Sequence, residues 1–196
     1  MKLTVFVSGS GTLLESMIAA SLPIQAVISD RACRGLEIAE AGGLPFELVE
    51  RTSFGPDFDR DQYSQRLVSV AKDHSTDLIA MAGFGTILGA PMFDEYEGRI
   101  INTHPALLPA FPGWHAVRDA LDAEVAVTGC TIHVATPIVD DGPILAQEAV
   151  DVVDGDDLST LHERIKVVER RLYIDTIQTI LDRGSVMDLD IDQPGD

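Results

Sequence analysis

The sequence predicts an α/β fold: a doubly wound, mostly parallel central sheet, with an antiparallel strand in the C-terminal half and helices on both faces. Three observations lead there. Apolar, β-rich runs alternate with helix-patterned segments from the first residues, the order that produces parallel strands joined by right-handed crossovers. Several of these runs are apolar throughout, as strands buried on both faces are. Beyond about residue 125 the alternation stops, and two long strand-like runs follow each other with no helix between them. Such runs are expected to pair as antiparallel neighbours.

The elements follow in order. Leu3–Val7 reads as the first strand, and the glycine-bearing loop Ser8–Thr12 leads into a helix from Thr12 to Ala20. Ile24–Ser29 is the second strand, followed by a helix through Leu36–Ala41 that stops at Gly42 and Gly43. Phe46–Val49 is a short third strand, and Asp59–Lys72 a polar-faced helix with apolar Leu67, Val68 and Val70. Leu78–Met81 and Ile100–Ile101 are continuous apolar strands. Val125–Ala135 and Ile144–Val153 flank the PIVDDGP turn region. Asp157–Asp182 is the longest helix, with Leu158, Leu161, Ile165, Val168 and Leu172 at spacings of three and four, and Gly184 ends it. Residues 1–187 are expected to form a single domain. The stretch 188–196, with four acids and no base, reads as a solvated tail.

A chain of 196 residues with 45% hydrophobic side chains can bury a good core. It has no apolar run of about 18 residues, so no membrane helix is expected. The opening MKLTVFVSGSG lacks the long apolar core of a signal peptide. Cys33 and Cys130 form no CxxC and have no metal-ligand company, which fits a reducing, cytoplasmic setting. No HExxH and no histidine pair with metal-site spacing occurs, so no metal is expected. With 14 basic against 32 acidic residues the net charge is −18, a field that repels nucleic acid and anionic membranes. The expected partners are small molecules, and an anionic one must be caught by local donors.

The chemistry concentrates in INTHPALLPAFPG, Ile101–Gly113. Asn102 and His104 are one strand period apart, so both side chains project to one side. A carboxamide and an imidazole so placed can hold a carbonyl oxygen as it becomes an oxyanion. Pro105 and Pro109 forbid helix and a continued central strand, which puts the pair at a strand tip outside any ladder. Asp140, in the VDDGP turn, is a carboxylate able to orient or charge His104. The loop SGSGT supplies Gly9 and Gly11 before a helix N-terminus, with hydroxyls on Ser10 and Thr12, the context for a phosphate cradle; a plain tight turn is the alternative. Leu14 stands where a dinucleotide fingerprint needs glycine, which weakens an NAD reading. Asp30 fits either a ribose contact or a turn. Glu169 points into the arc of the apolar stripe, where it either pairs with Lys166 or Arg170 or reaches a ligand. His133 shares a strand side with Thr131 and Ala135, as a core histidine or one facing the cleft of His104. His115 lies close after the His104 segment, and His74 and His162 read as surface residues.

Together SGSG, AGF, NTHPALLPAFPG, TIHVAT, DDGPI and VVERRLY resemble the folate-dependent formyltransferase superfamily over almost the whole chain. The N-x-HPxLLPxxPG block with a later D-x-GP is the specific part, and the short length and SGSGT favour the branch acting on glycinamide ribonucleotide. The resemblance implies transfer of a formyl group from 10-formyltetrahydrofolate, a co-substrate and not a tightly bound cofactor, to the amine of 5-phosphoribosylglycinamide. It implies Asn102, His104 and Asp140 as the catalytic trio, with Gly9, Gly11, Thr12, Leu13, His133 and Glu169 on the nucleotide side. It implies Phe84, Gly85, Thr86, Ile87, Leu88, Asp140 and Gly142 around the folate; because the folate's glutamate tail is anionic, Arg60 is a candidate contact for it. A homodimer is left open. The chain departs from the family's common pattern at Leu13, at Gly85 and Thr86, and at Ala110. A formyltetrahydrofolate hydrolase, expected to carry a further N-terminal domain, and a non-catalytic nucleotide-binding module are the competing readings.

Overall fold

Strands β1 (Leu3–Val7), β2 (Ile24–Ser29), β3 (Phe46–Leu48), β4 (Leu78–Met81), β5 (Ile100–His104), β6 (Val127–Val134) and β7 (Ile144–Asp151) build one sheet in the computed structural model. The structure describes residues 1–55 and 57–187, so the acidic tail expected at 188–196 lies outside the described residues. The strand order is β3-β2-β1-β4-β5-β6-β7. β1 to β5 are parallel, while β6 runs antiparallel to both β5 and β7. The doubly wound, mostly parallel sheet expected from the sequence is therefore present.

Helices α1 (Thr12–Ala19), α2 (Arg34–Ala41), α3 (Arg60–Asp73), α4 (Ala90–Glu95), α5 (Ala116–Asp122) and α6 (Leu158–Arg183) cover the sheet. Alternation along β1 divides the core. Val5 and Val7 join Leu14 and Met17 of α1 and Ile165, Tyr173 and Ile177 of α6 on one face. Phe6 turns to the other, with Tyr63 and Leu67 of α3, Met92 of α4 and Tyr96, which caps that helix. Each such fully buried aliphatic or aromatic side chain contributes about 1.5–3 kcal/mol. Among the described residues no helix is long and apolar enough to cross a membrane.

Local signals explain the helix ends. Asp157 accepts hydrogen bonds from the Ser159 and Thr160 N–H groups and opens α6 with a capping box, and Gly184 closes it at φ 74°. Asp59, expected as the first residue of α3, is instead its N-cap and accepts from the Gln62 N–H.

Several expectations change. β5 runs on through His104 and does not end at Ile101, so Asn102 and His104 sit inside a ladder, opposite His133 and Thr131 of β6. Proline blocks the strand only from Pro105 onward, and the antiparallel β6 supplies partners up to that point. α4 and α5, with six and seven residues, are too short to show a helical period and were not expected. Leu158 is 41% exposed, whereas Tyr173, outside the expected stripe, is fully buried.

Candidate active site

The register of β5 against β6 makes the site. Because Asn102 faces His133 across the ladder, its Nδ2 lies 3.3 Å from His133 Nε2. His133 Nδ1 is 3.0 Å from the Val134 carbonyl oxygen, which can only accept, so that nitrogen carries the proton. The ring's other nitrogen, Nε2, faces both the Asn102 amide and, at 3.6 Å, Asp140 Oδ1, so His133 sits between the two side chains.

His104 is bound at both nitrogens. Nδ1 is 3.3 Å from Asp140 Oδ2, and Nε2 donates to the Phe111 carbonyl at 2.8 Å. Each nitrogen thus faces an acceptor, which fixes the orientation of the ring. The His104 and Asp140 side chains are 5% and 6% exposed, so water screens this contact little. Burial by itself pushes the Asp140 carboxyl up. The His133 ring, the Gly113 N–H donating to Oδ2 at 2.8 Å and the His104 charge outweigh it and hold the carboxyl below its usual range. Asp140 (φ 57°) and Phe111 (φ 52°) both occupy the left-handed region, so the backbone is strained on each side of His104.

Asn102, His104, His133 and Asp140 face a cavity of about 610 Å³, a size typical of ligand pockets. The cavity lies beyond the C-terminal ends of β4 and β5, beside the β1–β4 boundary where the strand order reverses, the usual ligand crevice of an open α/β sheet. Phe84, Leu88, Phe93 and Val139 give it an apolar side. α6 supplies the opposite wall, with His162, Ile165 and Glu169 three and four residues apart. The Tyr173 hydroxyl donates to the carbonyls of Met81 and Ile101 at 3.2 and 3.0 Å, which clamps that helix one turn beyond Glu169.

Glu169 accepts from the Thr103 hydroxyl at 3.0 Å. Among the described residues Glu169 makes no ion pair with Lys166 or Arg170, and it borders the cavity, so between the two readings the geometry favours the ligand-facing one. Burial raises its pKa, and the Thr103 bond and the charges of Lys166 and Arg170 only partly offset this. His162, expected at the surface, instead contributes to the cavity wall, where burial and then the Lys166 charge lower its pKa. Sequence reasoning missed it because one turn of α6 separates surface from cavity. His115 is exposed as the N-cap of α5, and His74 caps α3 beside Glu47.

The SGSGT loop lies outside this cavity. Its Gly9 and Ser10 carbonyls are tied to α2 through the Gly35 N–H and Arg34, while the first-turn N–H groups of α1 have no intrahelical partner. Gly11 is held at φ 69°, and a Cβ there would lie 2.8 Å from Gly35 Cα, so its glycine is required by the α1–α2 contact. Leu13 is 6% exposed with its side chain in the core, which leaves only its main chain available to a ligand. Thr12 faces a shallow hollow shared with Arg170, the residue next to Glu169.

The segment expected around folate divides in two. Residues 83–88 do form cavity wall, yet the Thr86 hydroxyl is turned to Asp30 Oδ2 at 2.7 Å and the Phe84 ring packs on Phe6 at 5.1 Å. Ile87, 48% exposed, keeps an open side chain. Asp30, fully buried and ion-paired with Arg31, is structural here. Gly142 does not face the cavity. A Cβ there would strike the Val134 carbonyl oxygen, so it serves the β6–β7 turn. Arg60 does not face it either, being exposed at the first position of α3, whose buried face starts at Tyr63. Arg51 comes closer: it reaches the Thr86 hydroxyl at 3.4 Å with its guanidinium over the Phe54 and Phe58 rings. Nothing in the sequence around it, VERTSFG, marked it as a site residue. Among the described residues no cluster of His, Cys, Asp or Glu has the arrangement of a metal site.

Comparison with known proteins adds an independent line. The formyl transferase family model matches residues 1–177. Phosphoribosylglycinamide formyltransferase of Mycobacterium tuberculosis is 45% identical over 188 residues, 93% of this chain and 86% of that protein. The enzyme of the same name from Bacillus subtilis is 34% identical over 188 residues, covering 92% of this chain and 94% of its own. The crystal structure of phosphoribosylglycinamide formyltransferase from Bacillus halodurans superposes with a TM-score of 0.86 at 36% identity, over 97% of this chain and 100% of that one.

Proposed function

The chain belongs to the formyl transferase family, and from that premise we propose that it moves a formyl group from 10-formyltetrahydrofolate to the amine of 5-phosphoribosylglycinamide, a step of purine biosynthesis. The observation that carries this reading is the convergence of Asn102, His104 and Asp140 on one cavity wall, with Asp140 3.3 Å from His104 Nδ1.

The amine attacks the formyl carbon, a C–N bond forms, and the carbonyl electrons move onto oxygen. The Asn102 N–H, beside His133, and the His104 imidazolium stabilise that oxyanion. In the free protein the Nε2 proton of His104 is held by the Phe111 carbonyl; a charged oxyanion is the stronger acceptor and displaces it. The adduct then collapses, the carbonyl re-forms and the bond to folate N10 breaks. The proton released by the attacking nitrogen reaches N10 through Asp140 and water. Asp140 also orients the His104 ring and lies against the charge that ring carries in this step. On the nucleotide side, the first-turn N–H groups of α1, Thr12 and Arg170 receive the phosphate, and Glu169 accepts from the substrate's hydroxyls. The main chain of residues 83–88 and Val139 flank the folate.

The deciding experiment follows deformylation of 10-formyltetrahydrofolate with and without 5-phosphoribosylglycinamide. Turnover that requires the amine is expected. Equal turnover with water alone would replace this reading by a hydrolase.

A further inference from the structure

Trp114 is the chain's single tryptophan, and it is 82% exposed although it borders the cavity. An indole is one of the largest apolar surfaces a side chain can present, and leaving it in water beside an apolar cavity is unusual. It has exposed apolar company nearby in the chain's fold. Val139, which also borders the cavity, and Ile138 are 49% and 65% exposed.

The main chain fixes these side chains relative to the chemistry. Gly113, immediately before Trp114, sits at φ 95° and donates its N–H to Asp140, immediately after Val139. One hydrogen bond to the proposed catalytic carboxylate thus has an exposed apolar side chain adjoining each end. The left-handed turn at Gly113 is one that other residues adopt only with strain.

We propose that Trp114 is the aromatic clamp for the folate donor, stacking with Val139 opposite over its ring system when the cavity fills. This rests on the formyl transfer reading, and the chemistry of the two substrates selects the occupant. 5-Phosphoribosylglycinamide has no aromatic ring, whereas a folate carries a pterin and an aminobenzoyl ring, and flat rings are what an indole face stacks on. The apolar side of the cavity, with Phe84, Leu88 and Phe93, continues the same surface inward.

A lone tryptophan makes the test direct. Protein carrying 5-fluorotryptophan gives one ¹⁹F line, from Trp114. Adding 5-formyltetrahydrofolate, an isomer with its formyl group on N5, shifts that line, and adding 5-phosphoribosylglycinamide alone does not. By calorimetry Trp114→Ala raises the Kd for this folate about tenfold, and Trp114→Phe recovers most of the loss. Both variants bind the ribonucleotide like the parent and melt with it, since so exposed a side chain supports no core. Folate that binds the parent with normal heat but leaves the ¹⁹F line unmoved overturns the clamp alone, as does Trp114→Ala with unchanged affinity. A parent protein that gives no heat with any reduced folate overturns the formyl transfer reading and the clamp together.

Discussion

At Asp140 a single carboxylate meets two histidines and one main-chain N–H from a left-handed turn. Asp140→Asn keeps the size and removes the charge, so kcat should fall by roughly two to four orders of magnitude with little change in either KM. Asp141→Asn should be mild, because Asp141 is exposed; steady-state kinetics on both variants checks this, and near-normal kcat for Asp140→Asn would remove its role. A second expectation concerns acid stability. The folded carboxyl titrates below its usual value of about 3.9, so its contribution is present above that pH and is lost as pH falls through the lower folded value. The melting difference between Asp140→Asn and the parent should therefore be largest near neutrality and close below about pH 4. That Asn102, His104 and Asp140 would come together was legible because spacing and turn residues encode it. The roles of Phe111 and His133 were not, since each depends on a partner supplied by the fold: the His104 ring for one, the β5–β6 register for the other.

At the scale of elements, the long runs declared themselves and the short ones did not. β1, β2 and β4 match the expected boundaries residue for residue, because continuous apolar runs bounded by glycine or polar turns leave little freedom. α4 and α5 passed unseen for lack of a full period, and the end of β5 was misplaced because proline restricts itself and the strand only from its own position. The docking of α6 places His162 in the cavity wall, and no sequence period distinguishes a helix margin from a cavity margin. On that helix burial raises the Glu169 pKa, so its ionised form disfavours folding. Glu169→Gln should raise Tm at pH 7–8, an advantage that disappears as pH falls below the ordinary glutamate value of about 4.3. The same variant should weaken ribonucleotide binding. A variant that melts lower at pH 8 would show that the ionised carboxylate stabilises the fold.

For the whole molecule the dominant quantity is the net charge of −18. Self-repulsion of that size opposes the compact state, and added salt shortens its reach from about 30 Å at 0.01 M to about 8 Å at 0.15 M. Tm should therefore climb as sodium chloride is raised over that range, as scanning calorimetry would record. A falling Tm would mean that attractive pairs, such as Arg164 with Asp156, outweigh the repulsion. The sheet architecture was readable because strand and helix alternate. The hollow joining Thr12 to Arg170 was not, since it links residues more than 150 positions apart that only the docked α6 unites.

The Tyr173 hydroxyl bound to β4 and β5 also has a meaning in time. During synthesis β1 to β7 are all made before α6, and Tyr173 lies 92 residues beyond its partner Met81. Until α6 emerges, nothing ties its register to the sheet, and the wall bearing Ile165 and Glu169 does not yet exist. Completion of the cavity therefore waits on the docking of α6, the latest-made of the described helices.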